Sequence, residues 1–285
     1  MNKKMNLTET RLILNKIGVA PNKSLGQNFL TDRNILIKMI NEAEISKDET
    51  VLEIGAGLGA LTTELEKKAK KVYAYEIDKK LYHYLTENFS TSTNVEIINA
   101  DALKSDIPLH DKIVSNIPYT ITGPILEHFF YKENSPVGIM IMENSLSKRI
   151  SDTKKYKNFS RIGVTFNAFM SIISKSQVSR NSFYPIPNID LALIKIKPKP
   201  NLNSFLKEPM KRKFFIEFIA GITPYKNKTF SNSLELYIKN RTSYTLTKSD
   251  IINLIISNSI SDEKVFHKGI GELIKTCKLL YEYTN

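Results

Sequence analysis

Two stretches of the chain combine residue types that can do chemistry. The first is Glu53-Ile54-Gly55-Ala56-Gly57-Leu58-Gly59-Ala60-Leu61-Thr62. Three glycines at alternate positions follow an apolar run and precede a helical pattern. Such a turn lets backbone approach a ligand without Cβ interference. It predicts a nucleotide-containing cofactor at the C-terminal edge of a strand. Gly55, Gly57 and Ala60 also satisfy the dinucleotide pattern G-x-G-x-x-G/A. Glu76 lies 21 residues after Gly55. A carboxylate there accepts from both ribose hydroxyls of a dinucleotide or of S-adenosylmethionine, and the spacing leaves both open. No G-x-x-x-x-G-K-[S/T] loop is present, which argues against a P-loop nucleotidase. Asp101, in Asn99-Ala100-Asp101-Ala102-Leu103, can accept from an adenine amino group or cap a turn. Glu53 can orient the glycine loop, reach the cofactor through water, or sit in an ion pair.

The second stretch is Ser115-Asn116-Ile117-Pro118-Tyr119. Asn116 follows a strand pattern, so it belongs at the same sheet edge as the glycines. This arrangement suits methylation of an amino group. The N6 lone pair of adenine is delocalised into its ring, which makes it a poor nucleophile. Acceptors aimed at its two hydrogens favour a tetrahedral nitrogen and free that lone pair. The Asn116 side-chain oxygen and the Ile117 carbonyl can supply two such acceptors. Pro118 fixes φ and removes a competing donor. Tyr119 can stack on an unpaired or flipped base. Phe183, in Ser182-Phe183-Tyr184-Pro185-Ile186-Pro187, is a candidate for the other face of the base, with core packing as its alternative reading. The amino-group reading favours S-adenosylmethionine as the cofactor, with S-adenosylhomocysteine as its product, and it calls for no metal.

The elements that must position these residues read as an α/β pattern. Strands are predicted at 51–54, 72–76, 95–98, 113–115 and 137–142, with helices over 61–69 and 79–89 between them. This alternation implies a parallel sheet covered on both faces. Residues 191–196 fit a late strand, with 183–187 as the loop before it. Before the sheet, 8–17 and a segment starting near Asp32 read as helices. The prolines of Lys195-Ile196-Lys197-Pro198-Lys199-Pro200 end the pattern. They place a division near residue 200: a Rossmann-like domain over 1–200 and a small helical domain over 201–285.

Composition narrows the setting. Hydrophobic residues make up 41% of the 285, an ordinary globular balance. The single cysteine, Cys277, excludes an internal disulfide and a C-x-x-C metal knuckle. No apolar run approaches the roughly 20 residues that span a bilayer. The expectation is a soluble cytoplasmic protein, monomeric, with no membrane partner. A net charge of +12 favours a polyanionic partner, nucleic acid first.

With these motifs in place, the chain resembles the ribosomal RNA adenine-N6,N6-dimethyltransferases. The nearest branch looks like the small-subunit enzymes called KsgA in bacteria, with archaeal and eukaryotic counterparts; the Erm resistance enzymes are related. The resemblance rests on Ser24-Leu25-Gly26-Gln27-Asn28-Phe29-Leu30, the glycine loop, Tyr75-Glu76-Ile77-Asp78, Asp101-Ala102-Leu103, Asn116-Ile117-Pro118-Tyr119 and Phe183-x-Pro-x-Pro187. It covers most of residues 8–200 and weakens after that. It implies a class I S-adenosylmethionine-dependent methyltransferase fold. It also implies that Leu25, Gln27, Asn28 and Leu30 close over the methionine side of the cofactor. Gly55 and Gly57 would contact the cofactor, Glu76 would bind ribose, and Ile77, Asp101 and Ala102 would meet adenine. Asn116, Ile117, Pro118 and Tyr119 would engage the target base, assisted by Phe183. The implied product is N6,N6-dimethyladenosine at two adjacent adenosines near the 3′ end of small-subunit RNA. The implied partner is an immature small subunit, engaged in part by the helical domain. An Erm-like large-subunit enzyme and a noncatalytic RNA-binding assembly or transcription factor are the alternatives. A nicotinamide oxidoreductase leaves Asn116 to Tyr119 without a role.

The sequence departs from the family pattern in places. Ser115 stands where the family has Gly or Ala, a change expected to tune access of the base. Glu143-Asn144-Ser145 replaces a Gln-x-Glu pair, although Arg149 remains. Phe159-Ser160-Arg161-Ile162-Gly163-Val164 matches only in part, and Tyr225-Lys226-Asn227-Lys228-Thr229-Phe230 replaces a more arginine-rich run. Candidate RNA contacts are Lys23, Arg149, Lys154, Lys155, Lys157 and Arg161, with Lys211-Arg212-Lys213 as a second patch or a solvated face.

Overall fold

The computed structural model describes residues 6–151, 159–240 and 246–284; Lys154, Lys155 and Lys157 lie outside them. The chain divides into two compact units. The first comprises 1–130, 135–147 and 172–198, and the second 131–134, 148–171 and 199–285. Two segments that a linear division at residue 200 assigns to the first unit therefore group with the C-terminal helices.

The first unit is built on a sheet. Its strands are β1 (Phe29–Leu30), β2 (Thr50–Ile54), β3 (Lys71–Tyr75), β4 (Val95–Ile98), β5 (Lys112–Asn116), β6 (Val137–Glu143), β7 (Met170–Val178), β8 (Phe183–Tyr184) and β9 (Leu191–Pro198). Seven of them form one sheet in the order β4-β3-β2-β5-β6-β9-β7. The five strands from β4 to β6 are parallel, as the alternating pattern predicts. β9 runs antiparallel to β6, so the sheet is mixed. The remaining two strands, β1 and β8, form an antiparallel ladder of their own, pairing Phe29 with Tyr184 and Leu30 with Phe183. Residues 183–184, read from sequence as loop, are thus a short strand.

Both faces of the sheet are dry. Val51, Val72, Ala74, Val114, Ile139, Ile141 and Leu193 share a core with Leu36, Met39 and Ile40 of α2 (Arg33–Ala43) and with Leu61 and Leu65 of α3 (Ala60–Glu66). The alternate residues Leu52, Ile113, Met140 and Ile194 are also fully buried. Gly138 of β6 lies so close to Phe130 that a Cβ there would stand 2.8 Å from the ring. Burial on both faces explains why these strands read as continuous apolar runs.

Capping residues set where the helices begin. Asn6 caps α1 (Leu7–Lys16), Asp32 caps α2, and Asp78 caps α4 (Lys79–Asn88) through bonds from Lys80 N and Leu81 N. Each satisfies N–H groups that a helix start leaves without partners. A short helix, α5 (Thr122–Ile125), follows β5, and α6 (Asn144–Ser151) follows β6.

The second unit is helical: α7 (Arg161–Phe169), α8 (Ser204–Lys207), α9 (Pro209–Ile222), α10 (Phe230–Lys239), α11 (Lys248–Ser257) and α12 (Ile270–Thr284). Its core is aromatic. Phe169 packs against Tyr131 and Phe215, Phe218 against Tyr237, and Tyr281 against Phe205 and Phe214. No helix among the described residues is long and apolar enough to cross a membrane.

The turn into α3 is the tightest point beneath the glycine loop. Gly59 has φ +79°, and a Cβ there would stand 2.9 Å from Leu85 Cδ2 and Phe89 Cε2. Gly59→Ala is therefore expected to lower stability by roughly 1–3 kcal/mol through combined backbone strain and overpacking. A denaturant midpoint equal to that of the unmodified protein would contradict this packing.

Candidate cofactor and base site

The site lies where the order of the sheet reverses. The chain runs outward from β2 through β3 to β4, then returns to β5 beside β2 and continues to β6. Loops leaving β2 and β5 diverge there and open a crevice at the C-terminal strand ends. Gly55 follows β2, Glu76 follows β3, Asp101 lies just beyond β4, and Asn116 ends β5. Four sequence motifs therefore converge on one edge.

A cavity occupies this crevice. The glycine loop, Glu53, Glu76 and Ile77 line it from below, and Leu25 to Leu30 form its roof. Asn116 and Pro118 close one side. All of these residues belong to the first unit. Gly55, Gly57 and Gly59 all have positive φ, so the loop needs glycine for its backbone path as well as for space. A Cβ on Gly57 would come within 3.3 Å of the Phe29 ring under the roof. Glycine thus lets the loop pack closely against Phe29 and Pro118 beside the cavity.

Two buried carboxyls meet in the floor. Glu76 Oε2 accepts from Gly57 N at 2.8 Å, and its Oε1 accepts from Asp78 N at 2.9 Å. Glu76 thereby orients the glycine loop, and each oxygen retains a further lone pair for a ligand hydroxyl. Burial raises its pKa, against the lowering effect of these N–H bonds. Glu53 Oε2 accepts from Thr62 Oγ1 at 2.6 Å. Burial pushes Glu53 up to about 8, and the neighbouring Glu76 carboxylate adds to the rise. Of the three readings of Glu53 offered by sequence, the ion pair gives way to this neutral, hydroxyl-bonded acid.

The roof is fastened by specific bonds. Asn116 Nδ2 donates to Asn28 O at 2.9 Å. Asn116 Oδ1 is left buried and without a partner. Gln27 Nε2 donates to Asp78 Oδ2 at 3.1 Å, and its Oε1 accepts from Asn22 N at 2.7 Å. Both ends of the Gln27 amide therefore hold the roof in place. Gly26 approaches Pro118, where an added Cβ would stand 3.2 Å from the ring. Leu30 is buried in β1 and lines the cavity.

The remaining predicted residues take varied positions. Ile117 is fully buried, and Tyr119 opens a short helical turn with its hydroxyl buried and unpartnered. Burial raises the Tyr119 phenol pKa. Ile77 is half exposed at the cavity edge. Asp101 Oδ1 accepts from Leu103 N at 3.0 Å, so it does cap its turn, while Ala102 is buried. Neither is among the residues lining the cavity. Phe183 is 1% exposed and packs in the sheet core with Leu30, because β8 is paired beneath β1. In this arrangement it presents no open ring face. Ser115 Oγ donates to Ile54 O at 2.6 Å and is fully buried. It ties β5 to the end of the strand that feeds the glycine loop. Ser145 Oγ donates to Glu143 Oε1, so the departure after β6 pairs with itself. Thr10, Leu58 and Leu81 also line the cavity. Leu58 belongs to the glycine loop, whereas nothing in the local sequence marks Thr10 and Leu81, which α1 and α4 bring there.

Among the candidate RNA contacts, Lys23, Arg149, Arg161 and Lys213 are exposed. Lys211 is held by Glu208 at 2.7 Å. No cluster of three or more His, Cys, Asp or Glu residues able to hold a metal ion occurs among the described residues.

The raised Glu53 gives a pH signature. Its folded value lies above the ordinary 4.5, so the neutral form stabilises the fold and that stability is lost as pH rises from 4.5 towards about 8. Glu53→Gln keeps an acceptor for Thr62 and removes the titration. Its melting temperature is expected to fall less across that window than that of the unmodified protein. Parallel melting curves would refute the buried neutral acid.

Residues 19–266 match the family model for ribosomal RNA adenine dimethylases. A probable ribosomal RNA small subunit methyltransferase A from Pyrococcus furiosus is 37% identical over 240 residues, covering 78% of this chain and 86% of that protein. The corresponding methyltransferase of Ligilactobacillus salivarius is 38% identical over 245 residues, covering 81% and 80%. Among solved structures, a dimethyladenosine transferase from Plasmodium falciparum superposes with a TM-score of 0.75 at 22% identity, over 90% of this chain and 98% of that one. The 23S rRNA methyltransferase ErmE gives 0.63 at 24% identity, over 89% and 99%. Those two structures share the fold: a Rossmann-like methyltransferase core with a C-terminal helical part. With the family model spanning most of the sequence and the cradle suited to S-adenosylmethionine, this chain belongs to the ribosomal RNA adenine dimethylases, enzymes that take their methyl groups from that cofactor.

Proposed function

We propose that this protein dimethylates N6 of two adjacent adenosines near the 3′ end of small-subunit ribosomal RNA, acting on an immature subunit. The observation that carries the site reading is the Asn116 amide. One end is tied to the Asn28 carbonyl, and the other is a buried acceptor with no partner beside the cavity. A buried acceptor of this kind needs a donor, and the amino group of an unpaired adenine is one. The relatives named for small-subunit methylation favour that RNA over the large-subunit alternative.

S-adenosylmethionine supplies an electrophilic methyl group on sulfonium. In this reading Glu76 accepts from the ribose hydroxyls while its backbone bonds keep it aimed. Gly55 and Gly57 admit the ligand to the strand edge, and Asn28 and Leu30 cover it. Ile77 would support the adenine ring from the rim; the family resemblance also assigns Asp101 and Ala102 to adenine, although both lie outside the cavity lining here. Asn116 Oδ1 and the Ile117 carbonyl accept from the target amine and turn its lone pair towards the cavity. Pro118 holds that carbonyl in place, and Tyr119, which packs against the same core as the buried Phe183, stacks on the base. The described cavity lining contains no titratable side chain besides Glu53 and Glu76. None is required: the methylated amine is cationic and readily loses a proton afterwards. Alignment and water exclusion do the work.

Paired variants separate these roles. Asn116→Ala is expected to cut methyl transfer by roughly 10²-fold or more while leaving cofactor affinity close to that of the unmodified protein. Glu76→Ala is expected to weaken cofactor binding. Wild-type turnover in the first, or unchanged affinity in the second, would contradict the assignment. The substrate is tested by mass spectrometry of adenosines after incubation with labelled S-adenosylmethionine and undermethylated small subunits. Dimethyladenosine in the 3′-end hairpin is the expected product. Label found only on large-subunit RNA would move the assignment to the Erm-like alternative.

A further inference from the structure

Thr10 lies in the middle of α1, far in sequence from every motif of the site, yet it lines the cavity. It is fully buried. Its backbone N–H donates to Asn6 O at 2.8 Å, the ordinary helical bond. Its Oγ1 has no partner. A helical threonine usually returns its hydroxyl to the carbonyl one turn earlier, and this one does not. Of the other lining residues, Leu25, Leu58 and Leu81 are apolar, and the Gln27 amide bonds Asp78 and Asn22 instead. A buried hydroxyl without a partner is unfavourable. Valine would fill the same volume without that cost, so the presence of threonine needs a reason.

We infer that the Thr10 hydroxyl is a cofactor-binding group that hydrogen-bonds the amino-acid end of S-adenosylmethionine. The inference rests on the cavity reading above and extends it. In that reading the ribose hydroxyls go to Glu76, the adenine ring to the Ile77 rim, and the methyl group towards Asn116. The polar groups of the cofactor that still need partners are its α-carboxylate and α-ammonium. A hydroxyl can donate to the first or accept from the second. Helix α1 then forms part of the binding site.

The test is Thr10→Val, measured by calorimetry with S-adenosylmethionine, S-adenosylhomocysteine and methylthioadenosine, which lacks the amino-acid end. Affinity for the first two is expected to fall about five-fold, the loss of one net hydrogen bond. Affinity for methylthioadenosine is expected to stay unchanged. The melting temperature of the free protein is expected to hold or rise, because an unsatisfied hydroxyl has been removed; a merely structural role would lower it. Thr10→Ser, which keeps the hydroxyl, is expected to retain affinity. Unchanged binding of all three ligands by Thr10→Val overturns the inference. So does an equal loss for methylthioadenosine, which would place the hydroxyl against the nucleoside. Glu76→Ala is measured alongside. If it weakens binding and Thr10→Val does not, only the role of Thr10 fails. If neither does, the cavity reading fails with it.

Discussion

The Asn116 side chain joins the two halves of the site, and the rest of the arrangement follows from how its amide is used. Its nitrogen donates to the Asn28 carbonyl, which holds the roof over the crevice. That bond dictates that the oxygen is the free end. A single planar group thus ties residues 25–30 over the cavity and presents an acceptor beside it. If the nitrogen were free instead, the site would offer a donor to an amine that is itself a donor. The orientation of this amide, more than its presence, makes the site fit an amino group.

The floor follows a related logic with carboxyls. Glu76 is held by two backbone N–H groups that the glycine loop and the start of α4 leave available. A second charge beside it in the same dry floor would repel it. The structure avoids that by keeping Glu53 protonated and bonded to the Thr62 hydroxyl. Two acids in one pocket therefore differ in state, one holding the glycine loop through backbone N–H groups and one kept neutral on a hydroxyl. Ser115 belongs to the same construction. Its hydroxyl ties the strand carrying Asn116 to the last carbonyl before Gly55.

The chemistry asks little of titrating groups and much of position. The described lining offers acceptors, glycine clearance and apolar cover, with no strong base. This suits transfer to a neutral amine, where the barrier falls by holding the partners in line and excluding water. Positive charge is placed elsewhere, on exposed residues such as Lys23, Arg149, Arg161 and Lys213, where it can meet phosphates.

Much of this was legible from the sequence. The parallel strands, the helices between them and the motif residues at their C-terminal ends follow from apolar periodicity and from Gly, Pro and Asn at the strand ends, since those signals are local. Local signals also placed a carboxyl at Glu76 and an amide at Asn116 on the strand edge, where the cavity lies. The contacts that complete the site were not legible, because they join residues remote in the chain. Pairing of Leu30 with Phe183 turned a predicted loop into a strand and buried a ring expected to be open. The antiparallel β9, the grouping of 131–134 and 148–171 with the second unit, and the arrival of Thr10 at the cavity were likewise decided by packing. Residue type and spacing determined which chemistry the chain carries. Only the tertiary structure decided which end of each amide, which carboxyl and which hydroxyl remained free to perform it, because a hydrogen bond already made within the fold removes that atom from the ligand's reach.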